Sequence, residues 1–479
     1  MATISNIYNL NKTQLELDFV NIDTEKDIPL FVDSTLIAKC NSDFTVACND
    51  LLQDFFSYLI GLLKNNMDDK ARMICTRIGE VNETHLGLSK NKSRGKGIGQ
   101  SGTLDIFTQL KNSKAIEYGV LENIEDLRMF IENIDRDKLS DLITNIIRIK
   151  LLEYTIEQCE LNNILLTKNV PSGYCWNMET HKWENKYIDR LVVDNTPVLL
   201  VPKSIISFCE TYTPSKYRQH FILNFLQKEN IENETSLVKI RKTTKERYVT
   251  KKSIIEKEPV MDKKYILDFT VKHPEIFNDF KSKNKNTNCM NGELLTEVNY
   301  EDVSNFMIEK LKSIPVGTDS ASDYHNLMIG IYEFLTYPDL SNPRKEEKIH
   351  EGRKRIDIIF SNIAEEGYFA VISDKIKMTS LQIIVECKNY KNDPQNPELD
   401  QLLGRFSTRR GQIGILSCRT IEKYDKFINS CADTYLDEHG LILPITDADI
   451  IRALKCYEHA HKEFLNVLQE KTSLIVSKV

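Results

Sequence analysis

Three residues in the C-terminal third of the chain have types and spacing suited to phosphodiester hydrolysis. Asp357 stands in the run Gly352-Arg353-Lys354-Arg355-Ile356-Asp357-Ile358-Ile359-Phe360, and Glu386 and Lys388 stand in Ile383-Ile384-Val385-Glu386-Cys387-Lys388. Hydrolysing a phosphodiester at neutral pH requires an activated water and relief of charge on the phosphate. A divalent cation supplies both, and hard cations prefer carboxylate oxygens. Asp357 and Glu386 are therefore the expected ligands of Mg²⁺, with Mn²⁺ as a substitute. Residues two apart on a strand share a face, so Lys388 projects beside Glu386 and Cys387 to the opposite side. Lys388 is placed to orient the water or to stabilise charge in the transition state. Cys387 reads as a core residue whose backbone carbonyl is within reach of the metal.

Both runs are apolar enough to be buried strands, and packing of such strands would fix the carboxylates in place. Around them, residues 295–479 alternate helix and strand patterns. Tyr324, Leu327, Met328, Ile331 and Leu335 form one stripe over 322–335, with Ser322 as a candidate N-cap. Strands are expected at 355–360, 382–387, 412–417 and 441–444, and helices at 397–408 and 447–457. That pattern is an α/β domain with a central mixed sheet flanked by helices.

The arrangement Asp357…Glu386-x-Lys388, on two strands flanked by helices, resembles the PD-(D/E)xK superfamily of restriction-endonuclease-like nucleases, and within it the Mrr-like and Holliday-resolvase-like branches. The resemblance covers about residues 320–450. It implies a glutamine on the helix after the second strand, which Gln401 in Asp400-Gln401-Leu402-Leu403-Gly404-Arg405-Phe406 matches. Gln401 and Arg405, four apart, would share a helix face toward metal-bound water and a phosphate. Arg409 and Arg410 would close that helix and meet the DNA backbone or its own C-terminal dipole. Arg353 and Arg355 would share the face of Asp357 and meet substrate or carboxylates. Many members carry an extra acidic ligand on the first helix. The aligned position here holds His325, with Glu333 and Glu347 as alternatives.

The first 290 residues resemble no family that we can name. Residues 1–165 read as mostly helical, with apolar residues at helical spacing over 49–64 and 139–155 and Ser140 as the N-cap of the second helix. Residues 166–290 read as mixed: a buried strand at 196–202, helix from the middle of 216–228, a solvated charged stretch at 239–264 and a linker at 280–291. The whole is thus an α/β chain with a restriction-endonuclease-like domain after a largely helical α+β region. The glycine-rich run Arg94-Gly95-Lys96-Gly97-Ile98-Gly99-Gln100-Ser101-Gly102 lacks the P-loop spacing G-x-x-x-x-G-K-[ST]. It reads as a surface loop, with a phosphate nest as the alternative. Asp135, Asp137 and Asp141 complement a helix start. Trp176 and Trp183 read as packing a hairpin.

The bulk properties set bounds. The chain has 479 residues with 41% apolar and 28% charged, enough for two or three domains with large cores. No apolar run is long enough to span a membrane, and the first residues lack a secretory pattern. The 11 cysteines are scattered without C-x-x-C pairs, which fits a reducing cytoplasm better than disulfides or a zinc cluster. The net charge of −7 leaves room for a local basic surface. The reading that joins these observations is a cytoplasmic, metal-dependent DNA endonuclease in a bacterial restriction-like or anti-phage defence role. It would act as a homodimer, with the N-terminal region, a partner protein or a trigger controlling targeting. The alternatives are a non-cleaving nucleic-acid sensor or scaffold, and a nuclease that cuts RNA.

Overall fold

The computed structural model describes residues 2–87, 100–207, 212–241, 243–285, 299–349, 354–437 and 439–478, without the side chains of 100–105, 284–285, 346–349 and 354–356. The glycine-rich run up to Gly99, and Arg353 with it, lie outside these residues.

Two long helices organise the N-terminal part. Helix α1 (Asp43–Lys64) starts where the Ser42 side chain accepts from the Thr45 N–H, and it buries Leu51, Leu52, Phe55, Phe56 and Leu59. Helix α2 (Arg136–Leu161) is capped by Asp135, whose carboxylate accepts from the Lys138 N–H. Ser140, the expected cap, lies inside the helix, where its hydroxyl accepts from the Val32 N–H at 3.0 Å. The antiparallel hairpin of β1 (Thr167–Asn177) and β2 (Lys182–Arg190) lies on α2. Trp176 and Trp183 face each other across it and pack against Phe55, as expected of a hairpin anchor.

Apolar side chains from Ile4 to Phe280 form one continuous core, so the expected boundary at 165/166 does not separate two cores. Two local expectations also change. Only Thr196–Pro197 of the 196–202 run pairs as a strand, because the buried backbone beyond it bonds to dispersed partners, such as Leu199 N–H to Glu83 and Val20 N–H to Val201. The expected linker begins inside helix α3 (Pro274–Lys285), whose Phe280 is fully buried in that core.

The C-terminal part begins with α4 (Tyr300–Ser313) and α5 (Ala321–Thr336) and then enters a five-stranded sheet. Its strands are β3 (Leu340–Ile349), β4 (Lys354–Asn362), β5 (Gln382–Lys388), β6 (Ile413–Cys418) and β7 (Leu441–Thr446). Helix α6 (Gly367–Ile376) intervenes between β4 and β5, α7 (Asn396–Leu403) between β5 and β6, and α8 (Tyr424–Leu436) between β6 and β7. Helices α9 (Asp447–Leu454) and α10 (Ala460–Val476) follow. The spatial order is β7-β6-β5-β4-β3. Strands β3, β4 and β5 are antiparallel, and β5, β6 and β7 are parallel, so the sheet is mixed and β5 is the strand at which its sense changes. The four expected strands are present. Strand β3 was not expected, because Leu340-Ser341-Asn342-Pro343-Arg344-Lys345-Glu346-Glu347-Lys348-Ile349 has no apolar alternation; its pairing with β4 builds it.

Buried polar contacts join the two parts. The Asp18 carboxylate accepts from Tyr154 (2.6 Å) on α2 and from Ser341 (3.0 Å) and the Asn342 N–H (2.9 Å) on β3. Gln158 donates to the Pro343 carbonyl, and Gln382 at the start of β5 donates to Asp43 of α1. Lys203 and Glu333 form an ion pair at 3.0 Å with both side chains almost fully buried. Burial pushes Glu333 up to about 7 despite the opposing pull of Lys203. The folded state therefore holds the Glu333 proton more tightly than the unfolded chain. Its contribution to stability is fully present below about pH 4.5 and is lost as pH rises through about 7. Chemical denaturation across that window should show Glu333→Gln with a shallower fall in stability than the wild type, by a difference of a few kcal/mol. Parallel curves for the two proteins would contradict the assignment.

Candidate active site

The sheet interior is built from Ile, Leu, Val and Phe side chains, and two carboxylates interrupt it at one end of the β4–β5 ladder. The last rung pairs Ile358 with Val385; Asp357 and Glu386 lie one step beyond, in register and on the same face. The Cys387 N–H donates to the Asp357 Oδ2 at 3.1 Å, which ties the acid of β4 to the backbone of β5. Glu386 has no exposed surface, Lys388 is 7% exposed and Asp357 is half-buried. A carboxylate so placed must be compensated by hydrogen-bonded cations. The Lys388 ammonium donates to Glu386 Oε1 at 2.8 Å and to Gln401 Oε1 at 2.9 Å. The Arg405 guanidinium, itself 5% exposed, forms an ion pair with Glu386 Oε2 and also feels the charge of Asp357. The structure thus brings together Asp357, Glu386, Lys388, Gln401 and Arg405. Cys387 points to the other face and packs in the core toward Tyr324 and Tyr332 of α5; burial and the nearby Asp357 push its thiol well up.

Arg405 reaches the site by a different route from the expected one. Helix α7 ends at Leu403 rather than continuing to 408, and Arg405 lies in the turn that follows. The chain leaves the helix axis so that Phe406 can insert against Gly414 of β6, where even a Cβ would lie 2.8 Å from its ring. Arg409 and Arg410 consequently do not close the helix. They belong to the 407–411 turn, where Arg410 contacts the Ser407 hydroxyl and the Arg405 carbonyl. The Arg410 carbonyl accepts from the Gln382 N–H, at the opposite end of β5 from Glu386. Gln382 and Glu386 are four steps apart along the strand, about 13 Å. Arg355 lies on β4 with its side chain outside the described residues, and Arg353 lies outside them altogether.

Of the residues considered for a third acidic ligand, Glu333 is committed to Lys203 at the joint between the two parts. His325 is half-buried on α5, and Glu347 pairs with Ile356 through its backbone while its side chain lies outside the described residues.

A layer that sequence spacing could not reveal holds the end of β5. The parallel register aligns Lys388, Cys418 and Thr446, so the next residues, Asn389, Arg419 and Asp447, fall together at one edge. Arg419 donates to Asn389 at 3.3 Å and to the Leu311 carbonyl of α4 at 3.2 Å, and pairs with Asp447 at 2.8 Å. Tyr324 donates to Asp447, and Asn389 donates to the carbonyls of Pro315 and Gly317. Burial pushes Asp447 up to about 6, with Arg419 and Tyr324 pulling the other way. A polar residue following each of three parallel strands was the available signal.

The donor set suits a hard cation. Asp357 and Glu386 present carboxylate oxygen alone. Among the described residues, no group of three or more His, Cys, Asp and Glu side chains is close enough to hold a metal ion. Mg²⁺ ordinarily completes such a set with water and substrate phosphate.

Residues 9–213 match the profile of a family described as a domain of unknown function, DUF8370. That match lies wholly within the N-terminal part and ends before the sheet that carries the site. No curated protein and no solved structure matches the chain. Among the described residues, no helix is long and apolar enough to cross a membrane.

The coupling within the site has a measurable consequence. Glu386→Ala leaves Lys388 and Arg405 buried without their shared carboxylate and should cost about 3–5 kcal/mol in urea denaturation at neutral pH. Asp357→Asn, at a half-buried position, should cost less than half as much. Equal losses would contradict the assignment of Glu386 as the central counter-charge.

Proposed function

We propose that the C-terminal domain is a metal-dependent nuclease that hydrolyses DNA phosphodiester bonds. The observation that carries this reading is the junction of Asp357 and Glu386 on neighbouring strands with a lysine that bridges Glu386 and Gln401. Bound at Asp357 and Glu386, Mg²⁺ would supply charge neutralisation and a more acidic water. The remaining chemistry belongs to the chain. Gln401 and Glu386 hold the Lys388 ammonium on the face where the carboxylates meet, so that it can orient the attacking water and stabilise charge developing on the phosphate. Burial of the ammonium strengthens that interaction relative to water. The resemblance to restriction-endonuclease-like enzymes adds a 5′-phosphate product, and a restriction-like or anti-phage role with the N-terminal part directing or restraining the cut. The cytoplasm and a dimer cutting both strands belong to the same reading.

A second reading, a non-cleaving nucleic-acid-binding domain, draws on the Arg405–Glu386 pair, which places a resident cation on a carboxylate expected to hold the metal. Incubation of supercoiled plasmid with Mg²⁺, Mn²⁺ or EDTA separates the two, with single-stranded RNA as a parallel substrate. Metal-dependent nicking or linearisation is expected, reduced by at least about a hundredfold in Asp357→Asn and in Lys388→Ala. Cleavage of RNA alone would move the substrate class. DNA binding that persists in EDTA, without cutting under any condition, would favour the second reading.

A further inference from the structure

The geometry points to Arg405 as a built-in counter-cation that occupies Glu386 until a divalent ion displaces it, and that then turns to the substrate phosphate. This inference rests on the metal-site reading above.

Glu386 is fully buried, and each of its oxygens already faces a cation: Lys388 on Oε1 and Arg405 on Oε2. A divalent ion sharing this carboxylate would place positive charge beside the guanidinium in a poorly solvated site, where like charges repel strongly. One of the two resident cations must yield. Lys388 is fixed twice over, by its place on the strand two residues from Glu386 and by its hydrogen bond to Gln401. Arg405 stands in the turn beyond α7, on a longer side chain and outside the strand and helix that fix Lys388 and Gln401. It is the group built to leave. Asp357, half-buried beside it, marks the side of the site that opens to solvent. A guanidinium that moves outward there keeps its planar pair of donors, which suits the oxygens of a phosphate. Metal loading and substrate capture would thus be coupled through one side chain, and the unloaded site would remain electrically satisfied.

Mn²⁺ titration followed by electron paramagnetic resonance tests this on the full chain without substrate. Arg405→Gln is expected to bind Mn²⁺ at least about fivefold more tightly than the wild type, and Glu386→Gln to bind it most weakly. Equal or weaker binding by Arg405→Gln, beside normal binding by the wild type, would overturn the displacement and leave the metal site standing. No binding by either protein would overturn the metal site and the displacement with it. A measurement on the wild type guards against a variant that fails to fold. Phenylglyoxal modification, mapped by mass spectrometry, should find Arg405 protected in EDTA and reactive in Mn²⁺. Continued protection while Mn²⁺ is bound would contradict the inference.

Discussion

A carboxylate with no exposed surface in the middle strand of an apolar sheet is costly, and Glu386 is such a group. The arrangement around it can be understood as the means of meeting that cost. Lys388 follows it by two residues and so lies on its face; Gln401 on α7 holds the lysine, and Arg405 supplies the second positive charge. For Arg405 to arrive there, α7 must stop at Leu403 and the chain must turn. The turn is fixed because Phe406 fits over Gly414, where a larger residue would collide with its ring. Four dispersed features, a lysine, a glutamine, an arginine and a glycine, therefore answer to one buried charge.

A similar logic governs the joint between the two parts of the chain. Asp18 satisfies groups on α2 and on β3 at once, and Glu333 and Lys203 neutralise each other where apolar surfaces meet. These are directional contacts, and each fails if the two parts slide. Glu333 ties the N-terminal part to α5, and Asp18 ties it to β3, which pairs with β4, the strand that carries Asp357. Paired strands thus run without a break from the joint to the strand that carries Asp357. The DUF8370 match over residues 9–213 covers the Asp18, Tyr154 and Lys203 side of this joint.

Much of the site was legible in the sequence, and the reasons are local. Strand period alone places Glu386 and Lys388 on one face, and the apolar runs around Asp357 and Glu386 identify buried strands, so their junction could be anticipated. Gln401 was placed by the resemblance to restriction-endonuclease-like nucleases, which implies a glutamine on the helix that follows. What the sequence concealed depends on tertiary fit. The end of α7 is set by Phe406 meeting Gly414, which no helical period records, so Arg405 was expected on the helix and Arg409 and Arg410 at its close. Strand β3 is charged and owes its form to pairing with β4. The clamp of Asn389, Arg419 and Asp447 arises from the parallel register of three strands far apart in the chain. The N-cap at Asp135 was displaced in expectation to Ser140, because both are good capping residues and the apolar pattern begins between them.

Anomalous scattering from crystals of the full chain soaked in Mn²⁺ would locate the ion and show where Arg405 lies when it is bound. A peak is expected between the carboxylates of Asp357 and Glu386, with Arg405 moved off Glu386. Anomalous density confined to other parts of the molecule, with Arg405 still seated on Glu386, would contradict it.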